Sequence, residues 1–190
     1  MGSIPFAYLL VHGLKGEDIR ALGTRNVGAL NTYFQVGLLG ALSVLLADTA
    51  KGVLAVFVPA WLGAPAWTVY LTTLLVVVGH NWPVFLKFRG GKGAASILGV
   101  SLALVPELTL LAVGPAVLLM ILTRNVVIGA AAGFILLNSL LVITGQSADQ
   151  IALCVLLTLI VTLTYVVSIW PRVAGSIRSR RWKELFTELV

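Results

Sequence analysis

The sequence predicts an all-α, polytopic membrane protein with about seven transmembrane helices. Only 11% of its 190 residues are charged and 59% are hydrophobic, whereas a soluble domain carries about 25% charged residues. The apolar residues fall into long runs without the period-2 alternation of barrel strands, so we expect these runs to be helices. The length suits one integral membrane domain over residues 1–190, and the single cysteine excludes a disulfide within the chain.

Seven apolar segments are expected to span the membrane, at roughly 3–14, 36–62, 65–86, 94–105, 107–122, 126–145 and 150–170. The first holds about 12 residues, fewer than the roughly 20 that cross a bilayer as a helix. Either this first helix is truncated or the start codon lies upstream. Residues 94–122 allow a second interpretation as one long helix, because only Pro106 and Glu107 interrupt the run.

The basic residues favour two segments over one in that region. With seven segments and the N-terminus outside, twelve of the thirteen lysines and arginines lie on the inner side. A single span over 94–122 would place Arg124 and the basic C-terminal residues on the opposite side, against the positive-inside rule. The same rule explains the net charge of +6 better than a nucleic-acid partner does.

The thirteenth cation, Lys51, lies within the second segment, three residues after Asp48. This spacing puts the two side chains on one face of a helix, where they neutralise each other. Two interpretations stay open. The pair is either a buried ion pair that only fixes helix packing, or a pair beside a polar, inward-facing cavity.

Residues 171–190 are expected to form a basic, amphipathic cytoplasmic tail. The tail either lies on an anionic leaflet as an interfacial helix or is a solvated segment that only sets the topology. Its cations alternate with apolar side chains; they are Arg178, Arg180, Arg181 and Lys183, beside Trp182, Leu185 and Phe186.

Two polar loops, residues 15–31 and 79–93, fall on the same inner face in this topology, and Arg124 joins them there. Cations and flexible glycine backbone together are typical of an anion site, most naturally for phosphate. The chain has no complete Walker A pattern, no paired carboxylates for acid–base work and no metal-ligand spacing. The cations are Arg20, Arg25, Lys87, Arg89, Lys92 and Arg124, and the glycines are Gly23, Gly28, Gly90, Gly91 and Gly93.

Several short motifs follow one another along the chain. They are GSIP at 2–5, GTRNVGALN at 23–31, DTAKG at 48–52, GHNWPVF at 79–85 and FRGGKG at 88–93. Their order, which covers most of the chain, resembles that of the bacterial membrane glycerol-3-phosphate acyltransferases that use acyl phosphate. GTRNVGALN is similar to the family motif Gly-Ser-Gly-Asn-x-Gly-x-Thr-Asn, and DTAKG to Asp-x-x-Lys-Gly. GHNWPVF and FRGGKG match the Gly-His-x-x-Pro-Val-Phe and Gly-Gly-Lys-Gly segments closely, and GSIP also fits.

This resemblance implies transfer of an acyl group from acyl phosphate to the 1-hydroxyl of glycerol 3-phosphate, without a metal or other cofactor. It implies a seven-helix enzyme in the bacterial inner membrane, in contact with membrane lipid, with its site and C-terminus cytoplasmic. By the same resemblance, His80, Asn26 and Lys92 are expected to be catalytic. Substrate or phosphate binding is expected of Arg20, Thr24, Asn31, Gly90, Gly91, Gly93 and Arg124.

The chain departs from the family motifs at several polar positions. Thr24 replaces a serine and keeps its hydroxyl, but Arg25 replaces a glycine and Leu30 a threonine. Phe34 and Val127 stand where the family carries an arginine and a serine, and Pro171-Arg172 occupies the region of a common histidine. These changes leave an alternative open, namely a non-catalytic or weakly active membrane paralogue that binds an anionic lipid or a phosphate compound.

Overall fold

Helices, and no strands, make up the regular secondary structure of residues 1–178, the part of the chain that the computed structural model describes. The described residues form seven α-helices and two 3₁₀ turns, at Ile19–Ala21 and Val84–Leu86. Each predicted apolar segment coincides with one helix, so the predicted all-α fold is confirmed. The helices are α1 Phe6–Lys15, α2 Ala29–Trp61, α3 Ala66–Asn81, α4 Ala94–Leu104, α5 Pro106–Thr123, α6 Val126–Ile143 and α7 Ala148–Arg178.

Five of the described segments are long and apolar enough to cross a membrane, so the chain is a multi-pass membrane protein. They are Ala29–Trp61, Ala66–Leu86, Pro106–Thr123, Val126–Ile143 and Ala148–Pro171. The helix α4 is apolar but shorter, and α1 has 10 residues, about 15 Å of helix at 1.5 Å per residue. The count of seven spans stays a prediction.

The predicted start of the second segment, near residue 36, agrees with the start of the long apolar part of α2, but two helical turns that the sequence does not predict precede it. Helix α2 begins at Ala29, and a kink at Gly37, with φ 82° and ψ −173°, separates its first turns from the long apolar part. These first turns bury Asn31 and Thr32 completely. Hydropathy assigns such polar residues to a loop, and only their hydrogen bonds make them part of the helix.

The alternative of one long helix over 94–122 is also wrong. Val105 leaves helical geometry with φ −142° and ψ 63°. Pro106 then opens α5, a position where its missing N–H is no loss because the first N–H groups of a helix have no intrahelical partner. Two helices, α4 and α5, therefore replace the single run.

The chain forms two compact units, one over Met1–Val105 and one from Pro106 onward. In the first unit, α2 packs against α1, α3 and α4. Gly52 of α2 and Gly99 of α4 bring two helix backbones together: a Cβ on Gly52 would clash with the carbonyl oxygen of Ser96, and one on Gly99 with that of Thr49. Small residues allow this close approach without a large apolar driving force in lipid.

In the second unit, α6 packs against both α5 and α7. Gly129 lets α6 approach the backbone of α5 at Ala116. The Asn138 side-chain amide donates a 3.0 Å hydrogen bond to the hydroxyl of Thr158 in α7. Residues 171–178 of the expected tail continue α7, and residues 179–190 lie outside the described part of the chain.

Candidate active site

Asn31 organises the polar loop that precedes α2. Its side-chain amide nitrogen lies 3.1, 3.0 and 3.0 Å from the carbonyl oxygens of Ile19, Leu22 and Asn26. Its side-chain oxygen accepts a 3.2 Å bond from the N–H of Thr24. Because both ends of the amide bond to loop backbone and the residue is fully buried, the structure gives Asn31 a role in shaping the loop.

Arg20 joins the first polar loop, residues 15–31, to the second polar loop, residues 79–93. Its Nη1 donates a 2.8 Å bond to the carbonyl oxygen of Leu86, and its Nη2 forms a 2.6 Å ion pair with Asp18. The hydrogen bond from Arg20 lowers the pKa of the Asp18 carboxyl, and Asp18 raises the pKa of Arg20 in turn. Sequence reasoning missed Asp18, although its place two residues before Arg20 in a turn was the available signal.

The glycine-rich loop, residues 90–93, folds back onto the end of α3. The N–H groups of Gly90 and Gly91 donate 3.1 Å bonds to the carbonyl oxygens of Asn81 and His80. A Cβ on Gly91 would lie 2.6 Å from the carbonyl oxygen of Val27 and would clash with Nε2 of His80. Only glycine allows the loop to fit between the imidazole and the first loop.

The two polar loops are therefore adjacent, as the sequence predicts. Arg20 contacts Leu86 across them, and Gly91 packs between Val27 and His80. Lys92 lies partly buried next in the chain, and Gly93, with φ 84°, forms the N-cap of α4. The first N–H groups of a helix have no intrahelical partner and carry a partial positive charge, so this point suits an anion.

A buried charged cluster lies behind His80. The Asp48 and Lys51 side chains are each 3% exposed and joined by a 2.7 Å ion pair. Lys51 also donates to the carbonyl oxygen of Ile4 and lies 4.6 Å from the centre of the Phe6 ring. Nδ1 of His80 lies 3.5 Å from the Asp48 carboxylate. The pair therefore both fixes packing and contacts a candidate site residue.

A small pocket opens beside the Asp48–Lys51 pair, which favours the interpretation of a pair beside a cavity over one that only fixes packing. Asp48 and His80 line this pocket together with residues of the N-terminal segment and the loops; the others are Gly2, Ile4, Pro5, Phe6, Ala7, Val27 and Pro83. The N-terminal segment reaches the pocket because Gly2 and Gly79 allow it to pack directly on α3.

The turn before the glycine-rich loop exposes apolar and cationic side chains together. Phe85 is 74% and Phe88 61% exposed, and Lys87 and Arg89 are also exposed. Lys87 and Phe88 both have positive φ, at 54° and 61°, a conformation that is unfavourable for residues with a Cβ. The inward-pointing Leu86, 4% exposed, anchors the turn.

Nine of the ten expected site residues lie in these two adjacent loops of the first unit. The tenth, Arg124, belongs to the second unit, where it is exposed between α5 and α6 with φ 52°. The nine are His80, Asn26, Lys92, Arg20, Thr24, Asn31, Gly90, Gly91 and Gly93. In residues 1–178 no group of three or more His, Cys, Asp or Glu residues could hold a metal ion.

The altered positions also have a place in the structure. Arg25, which stands where the family motif has glycine, has φ 61°, the left-handed conformation that favours glycine. Leu30 and Phe34 are 38% and 60% exposed on the first turns of α2. The N–H of Val127 donates to the side chain of Asn125, the N-cap of α6, a cap that sequence reasoning missed although Asn is a preferred N-cap residue.

A family model described as "Glycerol-3-phosphate acyltransferase" matches residues 1–174. "Glycerol-3-phosphate acyltransferase 1" of Dehalococcoides mccartyi (strain ATCC BAA-2266 / KCTC 15142 / 195) is 39% identical over 173 residues, covering 87% of this chain and 83% of the relative. "Glycerol-3-phosphate acyltransferase" of Halalkalibacterium halodurans is 37% identical over 173 residues, covering 90% and 82%. With three other relatives from Dehalococcoides mccartyi the chain spans only 50%, 59% and 50% of the relative's length.

Two solved structures resemble the fold. Both are crystal structures of PlsY (YgiH), an integral membrane glycerol 3-phosphate acyltransferase, one in its glycerol 3-phosphate form and one in its lysophosphatidic acid form. Their TM-scores are 0.81 and 0.78, and each is 28% identical to this chain, covering 92% of it and 87% of the PlsY chain. This chain thus shares the fold of an integral membrane protein.

Proposed function

This chain belongs to the glycerol-3-phosphate acyltransferase family, and from that premise we propose that it acylates glycerol 3-phosphate. The acyl donor is acyl phosphate, the acceptor is the 1-hydroxyl of sn-glycerol 3-phosphate, and the products are lysophosphatidic acid and phosphate for phospholipid biosynthesis. The observation that carries the proposal is the packing of Gly91 between His80 and Val27. That packing gathers both family loops around one histidine and one lysine.

The start of α4 is the phosphate-binding element of this proposal. The N–H groups of Gly90 and Gly91 bond to α3, so these glycines serve close approach. The N–H groups after them, at the first turn of α4, supply the donors for an anion. Lys92 adds a point charge beside them. Arg20, which is engaged with Asp18 and Leu86, contributes charge at the rim and holds the two loops together.

The chemical step is an acyl transfer between oxygens. The 1-hydroxyl oxygen attacks the carbonyl carbon of acyl phosphate, the carbon–oxygen bond to phosphate breaks, and inorganic phosphate leaves. N–H groups and Lys92 stabilise the charge that develops on the tetrahedral centre. Because acyl phosphate is already activated, binding and orientation supply much of the rate.

Two groups can accept the hydroxyl proton: the His80 imidazole and a phosphate of the substrates. A His80→Ala variant separates them. If His80 is the base, acyl transfer falls by about 10²–10⁴, the usual contribution of general base catalysis. If the substrate phosphate is the base, the variant loses much less and its remaining activity follows the ionisation of that phosphate.

We place the chain in the bacterial inner membrane, as one integral domain with seven spans and with the loops and C-terminal tail on the cytoplasmic side. The turn with Lys87 and Arg89 supports this placement, because cytoplasmic loops carry an excess of lysine and arginine. The exposed Phe85 and Phe88 of the same turn suit a membrane surface. A membrane-impermeant maleimide tests it on a Cys154→Ser protein with Lys87→Cys. Labelling from the cytoplasmic side alone is expected, and labelling of intact cells from outside contradicts the topology.

The enzymatic proposal is tested with purified protein, palmitoyl phosphate and radiolabelled glycerol 3-phosphate. Lysophosphatidic acid is expected from the wild type, and Lys92→Ala is expected to lose nearly all of it. Lys15→Ala is the matched control, since it removes the same charge from the exposed end of α1. Product formation by the wild type that does not exceed that of Lys92→Ala contradicts the proposal.

The second candidate function is binding without turnover. The exposed, apolar Leu30 and Phe34 favour it, because they replace polar residues of the family beside the first loop. Equilibrium dialysis with labelled glycerol 3-phosphate distinguishes the two functions. Saturable binding that Arg20→Ala and Lys92→Ala weaken, together with no product, supports the binding protein and rejects the enzyme.

A further inference from the structure

The Asp48–Lys51 pair has no part in the chemistry proposed above, yet it is more deeply buried than the Asp18–Arg20 ion pair of the same unit. Both side chains are 3% exposed. The Asp48 oxygen that accepts from Lys51 at 2.7 Å is the same oxygen, Oδ1, that faces Nδ1 of His80 at 3.5 Å. One carboxylate oxygen therefore contacts both a fixed cation and the imidazole.

Lys51 fixes that carboxylate in place. Its ammonium group has three protons. It donates to the Asp48 carboxylate and to the carbonyl oxygen of Ile4, and it also lies over the Phe6 ring. The lysine thus ties helix α2 to the N-terminal segment. A carboxylate held in this way has one orientation, so its negative charge always lies on the same side of the neighbouring histidine.

The two nitrogens of His80 have different surroundings. Nδ1 faces Asp48, whereas Nε2 faces the backbone of Gly91 in the glycine-rich loop. A neutral imidazole carries a single N–H, and the hydrogen bond made by one nitrogen decides which form is present. The carboxylate oxygen 3.5 Å from Nδ1 favours the proton on that nitrogen, and the lone pair of Nε2 is then directed at the loop.

We propose that Asp48 is a positioning residue that holds His80 with its proton on Nδ1 and its Nε2 lone pair towards the glycine-rich loop. The catalytic meaning of this orientation rests on the proposed acyltransferase function, because Nε2 is then the nitrogen that accepts the hydroxyl proton. The orientation itself does not depend on that function. Lys51 supports it by neutralising the carboxylate and preventing its rotation.

Nitrogen-15 NMR of the imidazoles tests the proposal directly. The chain has only two histidines, so the full chain labelled at histidine and reconstituted in nanodiscs gives two sets of ring signals. A His12→Asn variant assigns them, since His12 is exposed on α1 and stacks on Tyr8. The spectrum is recorded at a pH at which the ring is neutral, and we expect His80 to show one form there, with the proton on Nδ1 and none on Nε2. A neutral ring with its proton on Nε2, or a mixture of the two neutral forms, overturns the proposal.

A double variant, Asp48→Leu with Lys51→Met, removes the acceptor and the cation together. Replacing both members of a buried ion pair by apolar residues of similar volume is often tolerated, whereas removing one leaves an unpaired buried charge. We expect His80 in this variant to become a mixture of forms, and kcat to fall about 10–100-fold, by analogy with the cost of losing the partner that orients a metal-bound histidine. KM for glycerol 3-phosphate is expected to stay unchanged.

Thr73→Val is the matched control for a buried polar-to-apolar change on α3. Thr73 is fully buried two turns before His80, and its hydroxyl donates to the carbonyl oxygen of Tyr70. The control is expected to leave the His80 signals and kcat unchanged. An unaltered imidazole in the double variant would show that the ion pair only fixes packing.

The measurements separate this proposal from the proposed function. A fixed His80 in a protein without acyl transfer rejects the enzyme and keeps the positioning role. Acyl transfer by a protein whose His80 exchanges freely between the two neutral forms keeps the enzyme and rejects the positioning role. If the double variant does not fold, the wild-type spectrum still tests the predicted orientation of His80, because that spectrum reports by itself which nitrogen carries the proton.

Discussion

Gly91→Ala is the substitution that most directly disturbs the candidate site. The added Cβ would lie 2.6 Å from the carbonyl oxygen of Val27 and 3.0 Å from Cδ2 of His80, and closer still to Nε2. Non-bonded heavy atoms prefer about 3.5–4.0 Å, so the loop or the imidazole must move by about 1 Å. Misplacement on that scale can lower catalysis by about 10², and overpacking costs about 1–3 kcal/mol of unfolding free energy.

Acyl transfer and thermal unfolding by circular dichroism measure the two effects of Gly91→Ala. Gly13→Ala is the control, because a Cβ there has nothing within 4 Å and alanine is the better residue inside a helix by roughly 0.5–1 kcal/mol. We expect the control to keep its activity and to be at least as stable as the wild type. Wild-type activity in Gly91→Ala would refute the role of this close approach.

Three further predictions concern the first loop. Arg25→Gly should raise the unfolding free energy by about 1 kcal/mol, because Arg25 has φ 61° and left-handed geometry costs about 1–2 kcal/mol for residues with a Cβ; a lower melting temperature contradicts this. Asn31→Ala should lower it by about 1–3 kcal/mol, because it leaves buried backbone carbonyl groups without their donor, and an unchanged melting temperature rules that role out. Because the pKa of Asp18 is lowered, its ion pair with Arg20 should add about 0.2–1 kcal/mol to the unfolding free energy, a small amount because the pair is exposed. This stabilisation is present above the ordinary carboxyl pKa of 3.8 and is lost as the pH falls through the lowered pKa of the folded protein. Asp18→Asn should remove this pH dependence from the melting temperature in acid.

The helices could be predicted because hydropathy and basic charge act over whole segments. Long apolar runs mark α2, α5, α6 and α7, and the positive-inside rule separates α4 from α5. The same signal fails for residues 29–36, where buried polar side chains form a helical turn. Asn31 is polar in sequence and fully buried in the structure, and nothing in a single sequence shows that the loop backbone provides its partners.

The site could be predicted only as a set of residue types. The motifs point to His80, Lys92 and the glycines, whose roles stay a prediction, and the structure brings loops 15–31 and 79–93 into contact. What the motifs do not reveal is how each group is used. The N–H groups of Gly90 and Gly91 bond to α3 although a glycine-rich loop suggests phosphate contacts, and Arg20 pairs with Asp18. The glycine contacts depend on three-dimensional proximity, which residue type does not encode, whereas the Asp18–Arg20 pair is local in sequence.

The most direct test of the central claim is the stoichiometry of the two products. Purified full-length protein in nanodiscs is given palmitoyl phosphate and glycerol 3-phosphate, and lysophosphatidic acid and inorganic phosphate are measured in the same reaction. Equal amounts of both are expected, with neither formed by Lys92→Ala. Phosphate released without lysophosphatidic acid, or no turnover beside saturable glycerol 3-phosphate binding, would contradict an acyl phosphate-dependent acyltransferase.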